Sequence, residues 1–225
     1  MWYCLESGCG DAAWNMALDE ALLWHAARTG VPVLRFYGWT ESAASFGYFQ
    51  KYAEVATWTS LRPLVRRPTG GGLVPHDADW TYSMTIPPAS MWYELSALES
   101  YRRLHEWIRR AFAQVAVPTR LAPEPRKEGP GRCFIGAEKL DLLWQDRKIA
   151  GAAQRRNRCG LLIQGSIQSP PPGIHRHQWE QAMRTAAEED FEVIWTRWEL
   201  PVHIRQTAEE LARTKYSQAA YNQRR

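Results

Sequence analysis

Residues 139–168 read KLDLLWQDRKIAGAAQRRNRCGLLIQGSIQ. Apolar-rich runs at 139–144, 147–154 and 161–168 are separated by Gln145-Asp146 and by a polar stretch from Asn157 to Gly160, the pattern of three strands joined by tight turns. The stretch therefore predicts an antiparallel meander. Just upstream, residues 122–131 (Ala-Pro-Glu-Pro-Arg-Lys-Glu-Gly-Pro-Gly) can continue neither a helix nor a central strand, and predict an exposed loop leading to Cys133. Further strand-like runs stand at 33–37, 44–48, 64–67 and 80–86. Helices flank them. Asp11 caps one over about 12–27, with Trp14, Leu18, Ala21 and Leu22 in a stripe and Asn15 and Asp19 on another face. Ser96 and Glu99 form a capping box ahead of Tyr101, Leu104, Ile108, Ala111, Phe112 and Val115, and Pro118 stops that helix. After the break at Pro170–Gly173 come a helix near 175–188 and another, capped from Thr207, ending near Tyr216. Central strands with helices at both flanks give an α+β class.

The 225 residues are 45% hydrophobic and 23% charged, which argues against a disordered or fibrous chain and fits one domain spanning 1–225. No apolar run reaches the roughly 20 residues of a membrane-spanning helix. The N-terminus has no basic segment followed by an apolar one, so the expected location is the cytoplasm, away from membranes. The balance of 28 basic and 24 acidic residues, net +4, is too mild to require nucleic acid and is compatible with an acidic protein partner. Basic clusters do occur at Arg66-Arg67 and Arg155-Arg156-Asn157-Arg158, but no nucleic-acid recognition signature accompanies them. Cys4, Cys9, Cys133 and Cys159 lack C-x-x-C spacing and are expected as free thiols. His175 and His177 sit beside a proline run and read as surface residues, so no metal site is expected.

Three groups of residues could carry chemistry. In Arg66-Arg67-Pro68-Thr69-Gly70-Gly71-Gly72-Leu73-Val74-Pro75-His76-Asp77, the glycines allow close backbone approach to a ligand and the arginines offer cationic forks for a carboxylate or phosphate. The Walker spacing is absent, and a plain Gly-rich turn between strands reads equally from these residues. His76 and Asp77, as strand neighbours, point to opposite faces and do not pair as base and orienter, so His76 reads as structural or pocket-lining. Lys148 lies among small and apolar residues, either facing a cavity or on an exposed edge; in a cavity it could hold a carbonyl oxygen or favour a nearby thiolate. Cys133, 15 positions before Lys148, could return to it through a hairpin as an acyl-accepting nucleophile, or pack as a small hydrophobe. Cys159, in a turn, is the weaker candidate.

The ordered set of Asn15–Ala21, Leu34–Trp39, Arg66–Asp77, Lys148–Arg156 and Lys215–Ser217 resembles the biotin/lipoyl protein ligase and octanoyltransferase superfamily over about residues 5–222. The resemblance implies an α/β fold with a central mixed, largely antiparallel sheet flanked by helices, and transfer of an octanoyl or lipoyl group to a lysine of a lipoyl domain. It implies one pocket wall from Arg67, Gly71, Gly72, Leu73, Val74, Pro75 and His76, and another from Gly151, Ala152, Ala153, Gly165, Ser166 and Ile167. The Cys133–Lys148 spacing is similar to octanoyltransferases whose cysteine precedes the lysine. That branch implies an acyl carrier protein as donor, lipoyl domains of 2-oxoacid dehydrogenases or the glycine cleavage H protein as acceptors, and no cofactor. The alternatives are an ATP-dependent ligase using ATP and Mg, and a silent acyl-binding module. A C-terminal accessory domain is not expected. Gln164 stands where many relatives carry histidine, and Pro75 replaces a usual hydrophobic residue.

Overall fold

The computed structural model describes residues 1–127 and 136–224. Its main sheet has the order β13-β1-β2-β6-β12-β11-β10-β7, with β1 at Trp2–Gly10, β2 at Val33–Trp39, β6 at Trp80–Ile86, β7 at Arg120–Leu121, β10 at Leu142–Trp144, β11 at Arg147–Asn157, β12 at Gly160–Ile167 and β13 at Trp195–Arg197. The pairs β1·β13 and β1·β2 are parallel. From β2 through β7 every neighbour is antiparallel, so the expected mixed, largely antiparallel sheet is present and the meander is β10-β11-β12. A second sheet, β4-β3-β5, is formed by Leu64–Arg66, Ala43–Phe46 and Val74–His76.

Strand alternation splits the main sheet chemically. On one face Leu34, Phe36, Tyr82, Met84, Ile86, Leu161, Ile163 and Ile167 meet Leu104, Trp107, Ile108 and Phe112 of helix α2 (Ala97–Gln114) and Trp179, Met183 and Ala186 of α3 (Arg176–Phe191) in one apolar core. The other face carries Arg35, Tyr37, Thr81, Ser83, Gln164 and Ser166, all buried. It is covered by α1 (Ala12–Thr29), by the small sheet and, through α1, by α4 (Val202–Leu211). Buried polar groups need partners, and they have them. Asp19 of α1 pairs with Arg35 at 2.7 Å, accepts from Ser83 Oγ at 2.6 Å and from Gln164 Nε2 at 2.7 Å, while Asn15 Oδ1 takes Arg35 Nη2 at 2.7 Å.

Two of the predicted caps hold. Asp11 Oδ1 accepts from Trp14 N at 2.7 Å and Ser96 Oγ from Glu99 N at 3.1 Å; the Glu99 carboxylate turns to Arg102 instead of closing the box. Thr207 is not a cap: the last long helix begins at Val202 after Pro201, and the Thr207 hydroxyl donates to the His203 carbonyl at 2.8 Å inside it. Further segments differ from the sequence reading. The first and last strands, β1 and β13, were not anticipated. Residues 139–144 do not form one strand: Asp141 N bonds Glu138 O at 3.1 Å and Leu140 takes a positive φ of 72°, so a turn precedes β10. Within the expected loop at 122–131, Arg126–Lys127 (β8) pairs with Gly136–Ala137 (β9), and Ala122 is buried; the rest of that loop, from 128 on, and Cys133 lie outside the described residues. No described helix is long and apolar enough to cross a membrane.

Candidate active site

A cleft lies between α1, the polar face of the main sheet and the small sheet. The sheet registers Tyr37↔Thr81, Thr81↔Ser166 and Ser166↔Gly151 lay one row of residues across four strands beneath it. Of the residues expected at a pocket, Arg67, Val74, His76, Lys148, Gly151, Ala152, Ala153, Gly165 and Ser166 line this one cleft. Leu73 instead packs with Phe46, Val55 and Leu64 beneath the small sheet, and Ile167 points into the apolar core on the opposite face. Gly71, Gly72 and Pro75 stand behind the wall. The carbonyl of Gly71 passes where a Gly47 Cβ would be, at 1.9 Å, so the loop can close only over a glycine. The Gly72 carbonyl accepts from Arg67 and that of Pro75 from Gln168.

Lys148 is in the cleft wall. Its side chain is 7% exposed and its Nζ lies 2.7 Å from Asp141 Oδ2, a carboxylate with no exposure at all. Asp141 also accepts from the Glu138 amide at 2.7 Å and from the Tyr101 hydroxyl. Burial, the Asp141 charge and this hydrogen bond push the Tyr101 phenol well above its ordinary value, so it remains a donor. The ammonium rests over Gly151, where a Cβ would come within 3.0 Å of Nζ. A fixed, buried cation at a cleft wall is suited to polarising an acyl carbonyl or stabilising a thiolate.

Both arginines of the glycine loop act differently from the expected forks for a ligand. Arg66 donates to the carbonyls of Tyr48, Gln50, Tyr221 and Asn222. Arg67 lines the cleft but turns its donors on Gly70, Gly72 and Ser45 carbonyls, fixing the loop's shape. His76 is buried and pocket-lining, as read. Its Nε2 meets Ser45 Oγ at 2.8 Å and its Nδ1 meets Asp79 Oδ2 at 2.9 Å, while Trp39 stacks on the ring at 3.8 Å. Asp77 is exposed, consistent with the alternation argument. Burial alone would raise the Asp79 carboxyl; the His76 charge and hydrogen bonds from His76, Ser166 and Thr81 hold it below its ordinary value.

The lipoyl protein ligase A/B catalytic domain family matches residues 11–170. The chain belongs to that family. An octanoyltransferase LipM of Bacillus subtilis is 36% identical over 179 residues, covering 74% of this chain and 64% of the relative; one of Oceanobacillus iheyensis is 40% identical over 172 residues, covering 74% and 63%. The chain thus spans less than two thirds of the length of these relatives. Among solved structures, a lipoate-protein ligase A bound with ATP superposes with a TM-score of 0.80 at 20% identity, over 99% of each chain. A bipartite lipoate protein ligase from Thermoplasma acidophilum, described with its E2 lipoyl domain, gives 0.77 at 18% identity over 99% of this chain and 96% of its own. The catalytic-domain fold of the lipoyl ligase family is therefore the fold of this chain.

For this family member, sequence reading missed several residues in and behind the wall. Met16, Tyr37, Trp39, Ser45, Thr81 and Gln164 line the cleft, and Asp141, Tyr101 and Asp79 support it. Asp141 had a signal, an acid inside the apolar run Leu140–Trp144. Asp79 had none: a turn after His76 brings the acid three positions on, not the adjacent one, to the imidazole. Gln164 acts as a strut: Thr69 Oγ1 donates to its Oε1 at 2.8 Å and its Nε2 to Asp19. Among the described residues no group of three or more histidine, cysteine or acidic side chains could hold a metal ion, and Cys4, Cys9 and Cys159 are free thiols. Cys159 sits in the β11–β12 turn and is not part of the cleft lining.

Proposed function

We propose that this chain, acting as one catalytic domain, is an octanoyltransferase of protein lipoylation that passes an eight-carbon acyl group through a thioester on Cys133 to a lysine of a lipoyl domain. The observation that carries this reading is Lys148, a buried lysine at the wall of the cleft, locked to Asp141. The 36–40% identity to octanoyltransferases supports it. The Cys133 thiolate attacks the carbonyl of a carrier-bound acyl thioester, the carrier thiol leaves with a proton, and the target ε-amine then displaces Cys133 to form the amide. Lys148 favours the thiolate electrostatically and orients the acyl carbonyl. Arg67, Gly71, Gly72, Val74, Pro75 and His76 shape one side of the chain's slot, and Gly151 to Ala153 with Gly165 and Ser166 the other. The reaction needs no ATP and no metal, and it belongs in the cytoplasm, where its carrier and lipoyl-domain partners are.

The test supplies octanoyl-carrier protein and an apo lipoyl domain without ATP and follows the mass of the lipoyl domain. An increment of one octanoyl group supports the transferase. Modification only with ATP, Mg and free octanoate or lipoate would assign the chain to the ligases, whose fold it shares.

A further inference from the structure

A second concavity opens beside the glycine loop and is lined by Tyr48, Arg155, Arg213, Lys215, Tyr221 and Arg224 among others. Its cations are held in place. Arg155 and Arg224 lie over the Tyr48 ring at 5.0 and 4.0 Å, and Lys215 lies over Tyr221 at 5.1 Å. Such stacking keeps the charges posted at little rotamer cost. Acids neutralise only part of the cluster: Glu20 pairs with Lys215 and Glu210 with the largely exposed Arg213. The groove also adjoins the cleft. Arg155 Nη1 reaches the Pro68 carbonyl of the glycine loop at 3.5 Å. The β11–β12 register runs unbroken from Ala150 to Asn157, so Gly151, Ala153 and Arg155 share one face, and Gly151 and Ala153 line the cleft. Arg155 stands four positions beyond the glycine beneath the Lys148 ammonium, about 13 Å along the strand.

We infer that this groove binds the phosphate of a 4′-phosphopantetheine thioester, placing the donor's arm along β11 with its acyl head in the cleft. The inference rests on the transferase reading above, because only a thioester donor carries that arm. Cations mounted on aromatic rings fit a compact phosphate that accepts several charge-assisted hydrogen bonds. The same chemistry is offered by coenzyme A and by the prosthetic arm of a carrier protein.

Binding of non-acylated probes tests the groove without requiring turnover. Calorimetry should find coenzyme A bound roughly tenfold or more tightly than phosphate-free pantetheine, with affinity falling as salt rises. That preference should collapse in Arg155→Gln and in the double variant Arg213→Ala/Arg224→Ala, whose side chains are not needed for folding contacts in the core; Arg155→Lys should retain part of it. Holo-carrier binding more tightly than coenzyme A would name the carrier arm as the source, and the reverse would name coenzyme A; both support a phosphate site. Equal affinity for coenzyme A and pantetheine, or variants that keep the preference, would overturn it. So would apo-carrier binding as tightly as holo-carrier, which would make the groove a dock for an acidic protein face. A chain that transfers octanoyl groups but ignores the phosphate refutes the groove alone; one that prefers the phosphate yet transfers nothing refutes the transferase reading alone.

Discussion

Lys148 and Asp141 form a buried ion pair whose value depends on keeping both members. Asp141→Asn removes the counter-charge while leaving the ammonium enclosed, and it loosens the Tyr101 and Glu138 contacts as well. It is expected to lower the stability read from urea unfolding by about 3 kcal/mol, and to depress acyl transfer at temperatures where the variant remains folded. A second consequence lies beside this pair. His105 is buried with no exposure, lies tilted against the Tyr101 ring at 4.1 Å and donates from Nδ1 to the Tyr101 carbonyl at 3.0 Å, and its Nε2 has no hydrogen-bond partner among the described residues. Burial first, with the Lys148 charge adding to it, lowers its pKa to about 4, against smaller opposing effects of Asp141 and the Tyr101 carbonyl. The folded protein therefore binds fewer protons than the unfolded chain between pH 4 and 6.5. Stability is complete above pH 6.5 and falls by about 3 kcal/mol as the pH drops to 4. His105→Phe should flatten that limb of the stability profile; an unchanged slope would contradict the assignment. At this scale the sequence made Lys148 visible because a charge among small apolar residues is conspicuous. Asp141 and Asp79 were hidden because their partners are set by turns, at 138–141 and 77–79, whose geometry periodicity does not encode.

Among the elements, the β11–β12 hairpin joins fold and chemistry. Gly151 leaves room for the lysine: a Cβ there would meet Lys148 Cε at 2.9 Å and Nζ at 3.0 Å. Since the obstacle is the far end of a flexible side chain, Gly151→Ala should be tolerated by the fold but displace the ammonium. Its melting temperature should stay close to that of the parent while turnover falls at least tenfold, the scale of a misplaced catalytic group; retained turnover would show that the ammonium's position is unimportant. Gly165 differs, because its Cβ would enter the Tyr82 ring at 2.1 Å. Strand β6 occupies residues 80–86 as expected from alternation, and α1 and α2 start at the caps read from Asp11 and Ser96. The ends of β11 and the whole of β1 were less legible. Arg155 and Arg156 resemble turn residues until the register with Leu162 and Leu161 is seen, and Cys4, Glu6, Ser7 and Cys9 give β1 no clean alternation.

Across the whole molecule, one sheet separates an apolar core from a polar cleft, and α1, the small sheet and the C-terminal segment close over the polar side. Arg66 fastens that closure: its backbone amide donates to Asn222 Oδ1 at 2.8 Å and its guanidinium to the Asn222 carbonyl at 2.9 Å. Arg66→Ala strands several buried carbonyls and is expected to cost about 3 kcal/mol, with hydrogen exchange rising first in residues 219–222; protection unchanged there would show the clamp to be dispensable. The fold class was legible from the order of strands and helices, and most of the cleft through the family resemblance carried by Arg66–Asp77 and Lys148–Arg156. The basic groove was legible only as scattered charges, since Arg155, Arg213, Lys215 and Arg224 line one concavity only in the folded chain. The central claim is a thioester on Cys133, and intact mass tests it most directly. After incubation with octanoyl-carrier protein and no ATP, the protein should gain one octanoyl group that mild hydroxylamine removes and that Cys133→Ala fails to acquire. An adduct that persists in Cys133→Ala, or transfer to a lipoyl domain that proceeds without any adduct and without Cys133, would contradict it.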